Sequence, residues 1–593
     1  MHLHFRRHAL PLLSGILFLT GGTAVLQAAN AYVVRNLTSD IPDLADFTDP
    51  NLKGAWGISE SSKSPFWIAD AAAGLSTLYT SSGSIISLVV TIPVSKAGGT
   101  AGSPTGTVYN GTTGFAIAAN EPAAFLFDTL DGTISGWNST VNKADAVIMV
   151  DNSAAGASYT GLAMATSGTN TYIYAANFGK GTIDVYDSNF APVTLTNAFQ
   201  DSQIPKGYAP FNVQALGGNL YVTYAQPSSS TFIGTGAGNG YVDVYSPAGT
   251  LMTHLIAGGQ LNAPWGVAIA PANFGDFAND LLVGNFGDGN INAFNPTTGA
   301  FVATLNDVYG TPIVVPNLWA LQVGNGGSGG DSNAVYFTAG IPGPDNMAHG
   351  LLGRIQAAPV VVAANVVNGA SFQPVLAPNT WVTITGANLS GTTRLWDDED
   401  IVNGVLPTDI DSVGVSVGGK PAYVEYVSPT QLNVLLPVGT PTGAVQLETY
   451  NFGLTSSEVT LQVAAVAPAF FLQSDGTHVV ATHLNGTLIG PTTTTGATPA
   501  APGETVVIYG NGFGVTNPAA PEGMVITTPL NLVALPTISF NGTNGQVIFA
   551  GLTYPGLFQI NVTIPTSAAS GDVPVVAQVG STASPSTAVI AVQ

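Results

Sequence analysis

The chain contains no cysteine among its 593 residues, and only 12 of its side chains are lysine or arginine. The absence of cysteine excludes disulfides, thiol catalysis, cysteine-ligated zinc and iron–sulfur clusters. So few basic residues cannot build the cationic surface that binds nucleic acid or an anionic membrane. Charged residues make up 8% of the chain, and its net charge is −22. We therefore expect no nucleic acid partner.

Long helical patterns are also scarce, whereas turn-forming residues are abundant. The chain has 71 glycines and 39 prolines, and 45% of its residues are hydrophobic. Between residues 30 and 358 we find short runs in which apolar and polar residues alternate, without a long stretch of 3.6-residue periodicity. Such runs, separated by glycine and asparagine, are typical of β-strands. The sequence therefore predicts an all-β fold.

Residues 1–29 have the features of a secretory signal peptide. Arg6 and Arg7 precede an apolar run from about residue 9 to residue 19, and small residues follow. We expect cleavage near Ala28, Ala29 and Ala31. The apolar run is far shorter than the ~20 residues that span a membrane, and we find no second run of that length. The sequence thus predicts an exported protein without a transmembrane segment in the mature chain.

One short pattern recurs about every 55 residues in the first half of the chain. It begins with glycine and continues with alternating apolar and polar residues. The copies lie at residues 74–79, 132–137, 181–186, 240–245, 289–294 and 350–355. Each copy follows a second strand-like run, at residues 66–70, 125–128, 172–177, 220–224, 281–285 and 335–338.

An opening motif lies further upstream in each of these units. Its copies lie at residues 56–57, 104–106, 160–161, 210–212, 264–266 and 318–320. Six repeats with about four strands each favour a six-bladed β-propeller over residues 30–358, because radial closure removes exposed sheet edges. A β-solenoid is the alternative, although solenoid repeats are usually shorter and a polar capping repeat is not visible.

The pattern changes after residue 360, where two similar modules follow. Residues 426–437 and 554–565 repeat one strand motif, and residues 377–386 and 501–510 repeat another. Several alternating strands per module predict two immunoglobulin-like (Ig-like) β-sandwiches, over residues 363–465 and 501–593. The segment between them, residues 466–500, ends in a run rich in threonine, proline, glycine and alanine, which predicts a linker.

Residues 31–357 resemble a family of uncharacterised exported bacterial proteins expected to form six-bladed propellers of the NHL/TolB-like kind. The likeness rests on residues 37–44, 56–58, 131–137, 151–156, 263–272 and 279–289. Residues 363–593 resemble the paired Ig-like region of many secreted bacterial proteins, through residues 368–372, 421–437 and 557–565. These resemblances imply the fold and an exported location, and they imply no reaction.

Propeller geometry predicts a ring of candidate ligand-binding residues. The first two strands of a blade are antiparallel, so the start of the first lies beside the end of the second at one mouth of the channel. Carboxylate and amide oxygens there suit Ca²⁺, and exposed indole rings stack on flat ligands such as sugars. The alternative, which we favour, is structural: asparagine before a glycine turn bonds its own backbone, and tryptophan packs between blades. The ring comprises Trp56, Trp265, Trp319, Asp70, Asp128, Asn177 and Asn285.

Two functions compete on this basis. The favoured one is an exported, non-catalytic binding or scaffold protein, whose propeller presents a face to a protein or polysaccharide and whose Ig-like modules act as spacer or attachment. No catalytic residue and no cofactor other than Ca²⁺ is assigned. The alternative is a Ca²⁺-dependent hydrolase or lyase that acts on a sugar lactone or glycan at the channel mouth. A quinone-dependent dehydrogenase is less favoured, because basic side chains for an anionic cofactor are scarce.

Overall fold

The computed structural model describes residues 30–99, 101–229, 232–343, 348–451 and 453–593. The predicted signal peptide, with Ala28 and Ala29, lies outside these residues. Regular structure in the described ranges is β apart from two single-turn 3₁₀ helices, Ser153–Ala155 and Gly275–Phe277. The prediction of an all-β fold is therefore confirmed. No helix in the described ranges is long and apolar enough to cross a membrane.

The chain forms two compact units, which meet in the sequence at Ala357 and Ala358. The first unit contains six blade sheets and a separate two-stranded hairpin in the described ranges, and the blades follow one another along the chain as predicted. From the innermost strand outwards, blade 1 consists of Ala55–Ser59, Phe66–Asp70, Leu75–Tyr79 and Ile85–Thr91. In the same direction, blade 2 consists of Pro104–Tyr109, Phe125–Thr129, Thr133–Trp137 and Val147–Asp151. In the sequence, a small hairpin of Ala116–Ala118 and Glu121–Pro122 lies between the first two of these strands.

Three further blades follow in order, with their strands again running from the axis outwards. Blade 3 consists of Tyr159–Ser167, Asn170–Asn177 and Thr182–Tyr186. Blade 4 consists of Ala209–Leu216, Asn219–Ser228, Tyr241–Tyr245 and Leu251–Ala257, with Phe232–Gly234 paired to its second strand. Blade 5 consists of Pro264–Ile269, Leu281–Asn285, Ile291–Phe294 and Phe301–Thr304.

Blade 6 is built from both ends of the first unit. Its strands Leu318–Val323, Val335–Ala339 and Leu351–Ala357 are followed by Tyr32–Ser39, which we call the closing strand, and by Phe47–Thr48. The closing strand is antiparallel to Leu351–Ala357. The six innermost strands contact one another in cyclic order, with that of blade 6 against that of blade 1. The first unit is therefore a closed six-bladed propeller rather than a solenoid.

The innermost strands of neighbouring blades approach each other too closely for a side chain to fit between them. A Cβ atom at Gly57 would overlap the carbonyl oxygen of Thr105, and one at Gly266 would overlap that of Trp319. These strands are not paired in one sheet, so side chains bond their backbone instead. Asn212 Nδ2, for example, donates to the carbonyl oxygen of Trp265 at 2.9 Å. The recurring small residue of the opening motif is thus a packing requirement.

The second unit contains the two Ig-like modules, each with two sheets in the described ranges. In module 1, one sheet holds Val360–Asn368, Trp381–Ala387, Gln431–Leu435, Tyr423–Val427 and Arg394–Leu395, and the other holds Asp409–Ile410, Val413–Val417, Gly443–Asn451, Leu454–Thr455, Lys420–Pro421 and Val459–Val463. In module 2, the larger sheet holds Ala497–Thr498, Leu488–Ile489, Ala481–His483, Thr505–Asn511, Leu557–Thr563, Gln546–Tyr554, Leu530–Leu532, Thr516–Asn517 and Ala469–Phe470, and the smaller holds Thr543–Asn544, Thr537–Phe540, Gly571–Val579, Thr582–Ala583 and Val589–Val592.

The prediction of a linker at residues 466–500 is wrong. This segment contributes short strands to the larger sheet of module 2, and Phe470 and Ile489 belong to the core of that module. Its threonine-rich composition concealed alternate apolar residues that face inwards. The two modules also share a core around Trp381, whose indole Nε1 donates to the carbonyl oxygen of Pro555 at 3.0 Å. They therefore pack together rather than hang on a flexible connection.

The close approach of the innermost strands yields a stability prediction. Gly266→Ala places a methyl group against the carbonyl oxygen of Trp319, so we expect the propeller to lose on the order of 2 kcal/mol or more of its free energy of unfolding. Gly327→Ala is the matched control, because a Cβ atom there meets nothing nearer than 3.4 Å. Urea unfolding of both variants measures the difference. Equal losses in the two variants would contradict the packing explanation.

Candidate functional site

The structure brings the predicted starts and ends of strands together at one end of each blade. Asp70 is paired with Ala55, which precedes Trp56, and Asn285 is paired with Pro264, which precedes Trp265. Asn177 is paired with Tyr159 in blade 3, whereas in blade 2 Thr129 is paired with Pro104 and Asp128 lies one residue earlier, at an irregularity of the register. The topology expected for the ring is therefore present. What these side chains do there is decided by their contacts.

The three tryptophans of the ring are not exposed, contrary to the expectation that they offer free faces to a ligand. Trp56, Trp265 and Trp319 are 5%, 3% and 5% exposed. The rings of Trp56 and Trp319 are stacked with centroids 3.6 Å apart, and Trp265 meets Trp319 edge-on at 6.1 Å. Phe286 covers Trp319 from a further blade, with centroids 4.4 Å apart. Apolar ring surface at the axis is buried most favourably against other rings, so these indoles stack on one another.

The Trp265 indole also links distant parts of the propeller. Its Nε1 donates to the carbonyl oxygen of Thr160, in blade 3, at 2.7 Å. Thr338 of blade 6 donates its hydroxyl hydrogen to the carbonyl oxygen of Trp56 in blade 1. Side chains near the axis thus satisfy backbone groups of other blades. This arrangement fixes the blades relative to one another.

Asp128 is fully buried and holds blades 2 and 3 together. Its Oδ1 accepts hydrogen bonds from the Thr105 hydroxyl at 2.8 Å and from the Gly106 amide at 2.6 Å. The Gly161 amide of blade 3 also donates to this carboxylate. Burial raises the pKa of Asp128 from 3.8 to about 6, although these hydrogen bonds act in the opposite direction. The carboxylate therefore acts as a backbone acceptor between blades.

Asp70 is the last residue of the second strand of blade 1. It accepts a hydrogen bond from the Thr77 hydroxyl at 2.8 Å, and burial raises its pKa well above the ordinary value. Oxygen Oδ1 of Asp70 has no hydrogen-bond partner within the part of the chain that the structure describes. The ring aspartates do not belong to any group of three metal-ligating side chains in that part. The Ca²⁺ site at the channel mouth stays a prediction.

The two asparagines of the ring cap turns, as the structural alternative expects. Asn177 Oδ1 accepts from the amides of Ser158 and Lys180, each at 3.2 Å. Asn285 Oδ1 accepts from the Asn262 amide at 3.1 Å, and its Nδ2 donates to the Gln260 carbonyl oxygen at 2.8 Å. Both amides are engaged by neighbouring backbone. A ligand at the axis would have to displace these contacts.

A groove of about 660 Å³ lies away from the axis, where the closing strand meets the end of blade 5. Residues 32–34 and Asn36 line one side, residues 307–308 and 312–316 line the other, and Ile41 and Leu44 also belong to the lining. We call it the seam groove. Its lining is mostly apolar, with Val33, Val34, Ile41, Leu44, Val308, Pro312, Ile313, Val314, Val315 and Pro316 among its residues.

The second wall of the seam groove is held rigidly by one aspartate. Asp307 Oδ1 accepts from the amides of Tyr309 and Thr311 at 2.8 and 2.9 Å, and this closes a tight turn. Tyr309 stands at the tip of that turn with 89% of its surface exposed, and Val314 is 56% exposed. Large apolar side chains presented on a fixed turn are typical of recognition surfaces.

The seam groove could not be found from the sequence, because it depends on the closing strand. No repeat unit contains this strand, and its partner lies more than 300 residues away in the sequence. A second group that sequence reasoning missed consists of Asp201, Asp243 and His254 on blade 4. Asp243 occupies the fourth position of the repeated glycine pattern, but blade 3 also has an aspartate there, Asp184, so this position alone gave no signal for the group.

The raised pKa of Asp128 predicts how stability depends on pH. Its carboxyl binds a proton more tightly in the folded chain, so the free energy of unfolding falls as pH rises from about 4 to about 6. Asp128→Asn has no carboxyl at this position, so its free energy of unfolding does not fall for this reason. We therefore expect the free energy of unfolding of the variant to rise relative to that of the wild type as pH increases, by up to about 3 kcal/mol at pH 7.

Urea unfolding at several pH values measures this difference between variant and wild type. Asp151→Asn serves as the control of opposite sign, because a hydrogen bond from Ser153 lowers the pKa of Asp151. That variant should lose stability relative to the wild type above pH 4. A difference for Asp128→Asn that does not change with pH would contradict the account.

Comparison with known proteins identifies a domain family within module 1 and solved structures of low overall similarity. Residues 371–463 match the IPT/TIG domain family, and they fall within module 1. Among solved structures, streptogramin B lyase is similar with a TM-score of 0.33 and 12% identity, over 55% of this chain and 97% of that one. A glucose dehydrogenase gives a TM-score of 0.34 and 13% identity, over 54% of this chain and 98% of that one. Likeness at this level says nothing about chemistry.

Three curated relatives come from Acanthamoeba polyphaga mimivirus. Uncharacterized protein R640 is 33% identical over 201 residues, which cover 33% of this chain and 37% of R640, so the chain matches little more than a third of that protein. Uncharacterized protein L690 is 29% identical over 340 residues, which cover 56% of this chain and 87% of L690. Uncharacterized protein R648 is 30% identical over 338 residues, which cover 56% of this chain and 81% of R648. This chain therefore belongs to the protein family that includes R648.

Proposed function

We propose that this chain is an exported, non-catalytic binding or scaffold protein whose propeller recognises a partner protein through the seam groove. The two Ig-like modules act as a spacer or attachment. The seam groove is the observation that carries this proposal, because its volume lies in the range of ligand sites and its walls are built on the closing strand and a fixed turn. The exported location rests on the predicted signal peptide.

The chemistry of the groove favours apolar side chains of a protein over a polysaccharide. Leu44, Val308 and Val314 are 38%, 41% and 56% exposed, and they lie within one surface together with buried Ile313 and Val315. Exposed apolar residues gathered in this way mark protein contacts. A sugar needs free polar groups that fix its hydroxyls, whereas the polar residues here are engaged.

The engaged polar residues are Asn36 and Asp307. Asn36 Nδ2 donates to the carbonyl oxygen of Leu44 at 3.1 Å, so this amide holds the rim of the groove. Asp307 Oδ1 accepts two backbone amides in its own turn. Lysine and arginine are absent from the lining within the described residues. An acidic ligand would therefore find no counter-charge, and an apolar peptide fits better.

The axis offers less support for catalysis. Asp128, Asn177 and Asn285 accept hydrogen bonds from the backbone, and the indoles between them are packed against each other. General acid or base chemistry needs a titratable group that reaches a substrate. These groups are instead engaged by nearby backbone amides of the propeller, which supports a binding role over the hydrolase or lyase alternative.

Peptide selection tests the proposal. A random-peptide display library is panned against the purified propeller, and the selected peptides are measured by fluorescence anisotropy. We expect apolar peptides to be enriched, and Leu44→Asp or Val314→Asp to weaken their binding at least tenfold, because each variant places a charge in the contact. Ile85→Asp is the matched control, since Ile85 is 46% exposed on the outer strand of blade 1.

Selected peptides that bind Leu44→Asp and Ile85→Asp as tightly as the wild type would contradict a site in the seam groove. Failure to enrich any peptide would contradict a protein partner. Thermal unfolding of each variant shows whether the propeller remains folded, and an exposed position such as Val314 is expected to tolerate the charge. Cleavage of a bound peptide or of a sugar lactone by the wild type would instead support the catalytic alternative.

A further inference from the structure

Blade 4 brings two aspartates and a histidine together from three separate segments. Asp243 lies in the strand Tyr241–Tyr245, and His254 lies directly opposite it in the strand Leu251–Ala257. Opposite residues in a pair of strands place their side chains on one face of the sheet. Asp201 lies in the segment that connects blades 3 and 4. The donor atoms of the three side chains lie within 4.8 Å of one another.

The two carboxylates converge on a single nitrogen. His254 Nδ1 lies 2.9 Å from Asp243 Oδ1 and 2.6 Å from Asp201 Oδ2. The side chains of Asp243 and Asp201 are 0% and 2% exposed. Nδ1 carries at most one proton, and Asp201 Oδ2 is left without a hydrogen-bond partner among the described residues. Two buried carboxylates that share one imidazole leave negative charge uncompensated, which is costly.

The remaining oxygens of both carboxylates are held in place by other groups. The Tyr245 hydroxyl donates to Asp243 Oδ2 at 3.0 Å, and the backbone N–H of Gln203 donates to Asp201 Oδ1 at 2.7 Å. Each aspartate is thereby turned so that one oxygen points towards His254. Metal-binding carboxylates are oriented by outer hydrogen bonds of this kind.

The neighbouring blades show that this arrangement is particular to blade 4. Blade 3 has Asp184 at the same position of the repeat, but there Asn177 Nδ2 donates to the carboxylate at 2.8 Å. Blade 5 has Asn292 at this position, and Thr304 stands opposite it, where blade 4 has His254. The Thr304 hydroxyl donates to Asn292 Oδ1 at 2.7 Å. The side chains at this position in blades 3 and 5 have hydrogen-bond partners within their own blade. In blade 4, by contrast, Asp201 Oδ2 beside Asp243 has no hydrogen-bond partner among the described residues.

We propose that Asp201, Asp243 and His254 bind a divalent first-row transition metal ion, with Zn²⁺ as the ion of choice. One imidazole nitrogen and two carboxylate oxygens form a donor set that Zn²⁺ accepts, while Ca²⁺ takes oxygen ligands. With bonds of about 2.0 to 2.1 Å, a tetrahedral ion needs ligand atoms roughly 3.3 Å apart. His254 Nδ1, now 2.6 and 2.9 Å from the two oxygens, therefore has to move away from each of them by less than about 1 Å.

Movement of the His254 side chain can both widen the distances between the ligand atoms and let the metal ion enter. Its side chain is 15% exposed on the outermost strand of the blade, so it can shift outwards and admit an ion from solvent. Three protein ligands leave a fourth position for water. The site lies in a different blade from the seam groove, and it stands independently of the proposed function.

Calorimetric titration with ZnCl₂ tests the site. The full chain is prepared without a polyhistidine tag and dialysed against a chelator, and then against metal-free buffer. We expect one Zn²⁺ per chain with a Kd in the micromolar range or below. His254→Asn and Asp243→Asn should each weaken binding at least about 100-fold. Asp184→Asn, at the equivalent position of blade 3, is the matched control and should bind as the wild type does.

X-ray absorption at the zinc edge gives a second readout, with one imidazole nitrogen and oxygen ligands expected in the wild type. Thermal unfolding shows that each variant is folded. If Asp243→Asn does not fold, the comparison of His254→Asn with the wild type remains a valid test. The His254 side chain reaches the surface, so we expect this variant to fold. A wild type that binds Zn²⁺ more weakly than about 1 mM would overturn the proposal, as would a double variant, Asp201→Asn with His254→Asn, that keeps the wild-type affinity.

Discussion

The propeller depends on the close approach of its six innermost strands around the axis. Their backbones come so near that a Cβ atom at Gly57 or Gly266 would overlap the next blade. These strands belong to different sheets and are not paired with one another, and so polar side chains bond the backbone across the blades instead. Asp128, Asn212 and Thr338 have this role. Asp128, a member of the polar ring that suggests a ligand site, is thus part of the joint between blades.

Repetition in the sequence was sufficient to predict the blades. The glycine pattern and the strand before it recur with regular spacing, and the second strand of blade 1 begins and ends where the sequence indicates, at Phe66–Asp70. The resemblance of the second half to Ig-like regions was equally informative, since residues 371–463 match the IPT/TIG domain. Local alternation of apolar and polar residues carries this information because each strand buries one face in its own blade or module.

Other features could not be predicted, because they depend on contacts between distant residues. The closing strand lies outside every repeat and finds its partner at Leu351–Ala357 only when the ring closes. Stacking of Trp56 on Trp319 joins the first blade to the last, so the sequence alone could not show that these indoles are buried. The short strands between residues 466 and 500 were missed because threonine and proline concealed a weak alternation. In each case tertiary contacts override the local pattern.

One repeated position illustrates how a common framework acquires different chemistry. The fourth residue of the glycine pattern is Thr77 in blade 1, where it donates to Asp70, and Asp184 in blade 3, where it accepts from Asn177. In blade 4 the same position holds Asp243 beside His254. The position in the strand is the same in all three blades. The neighbouring side chain decides whether the residue there is fully hydrogen-bonded, as in blades 1 and 3, or belongs to a group with unbalanced charge, as in blade 4. Function in such a fold is therefore expected where the repeat is broken, at the seam and on blade 4.

Hydrogen exchange of the closing strand tests most directly the claim that the ring is completed by the N-terminal segment. We expect the peptide that covers residues 32–37 to be protected for far longer than seconds, because this strand is paired with Leu351–Ala357 along its length. The outer strand Phe301–Thr304 of blade 5 should exchange faster. Exchange of residues 32–37 within seconds, while Val335–Ala339 remains protected, would contradict closure by this strand and remove one wall of the seam groove.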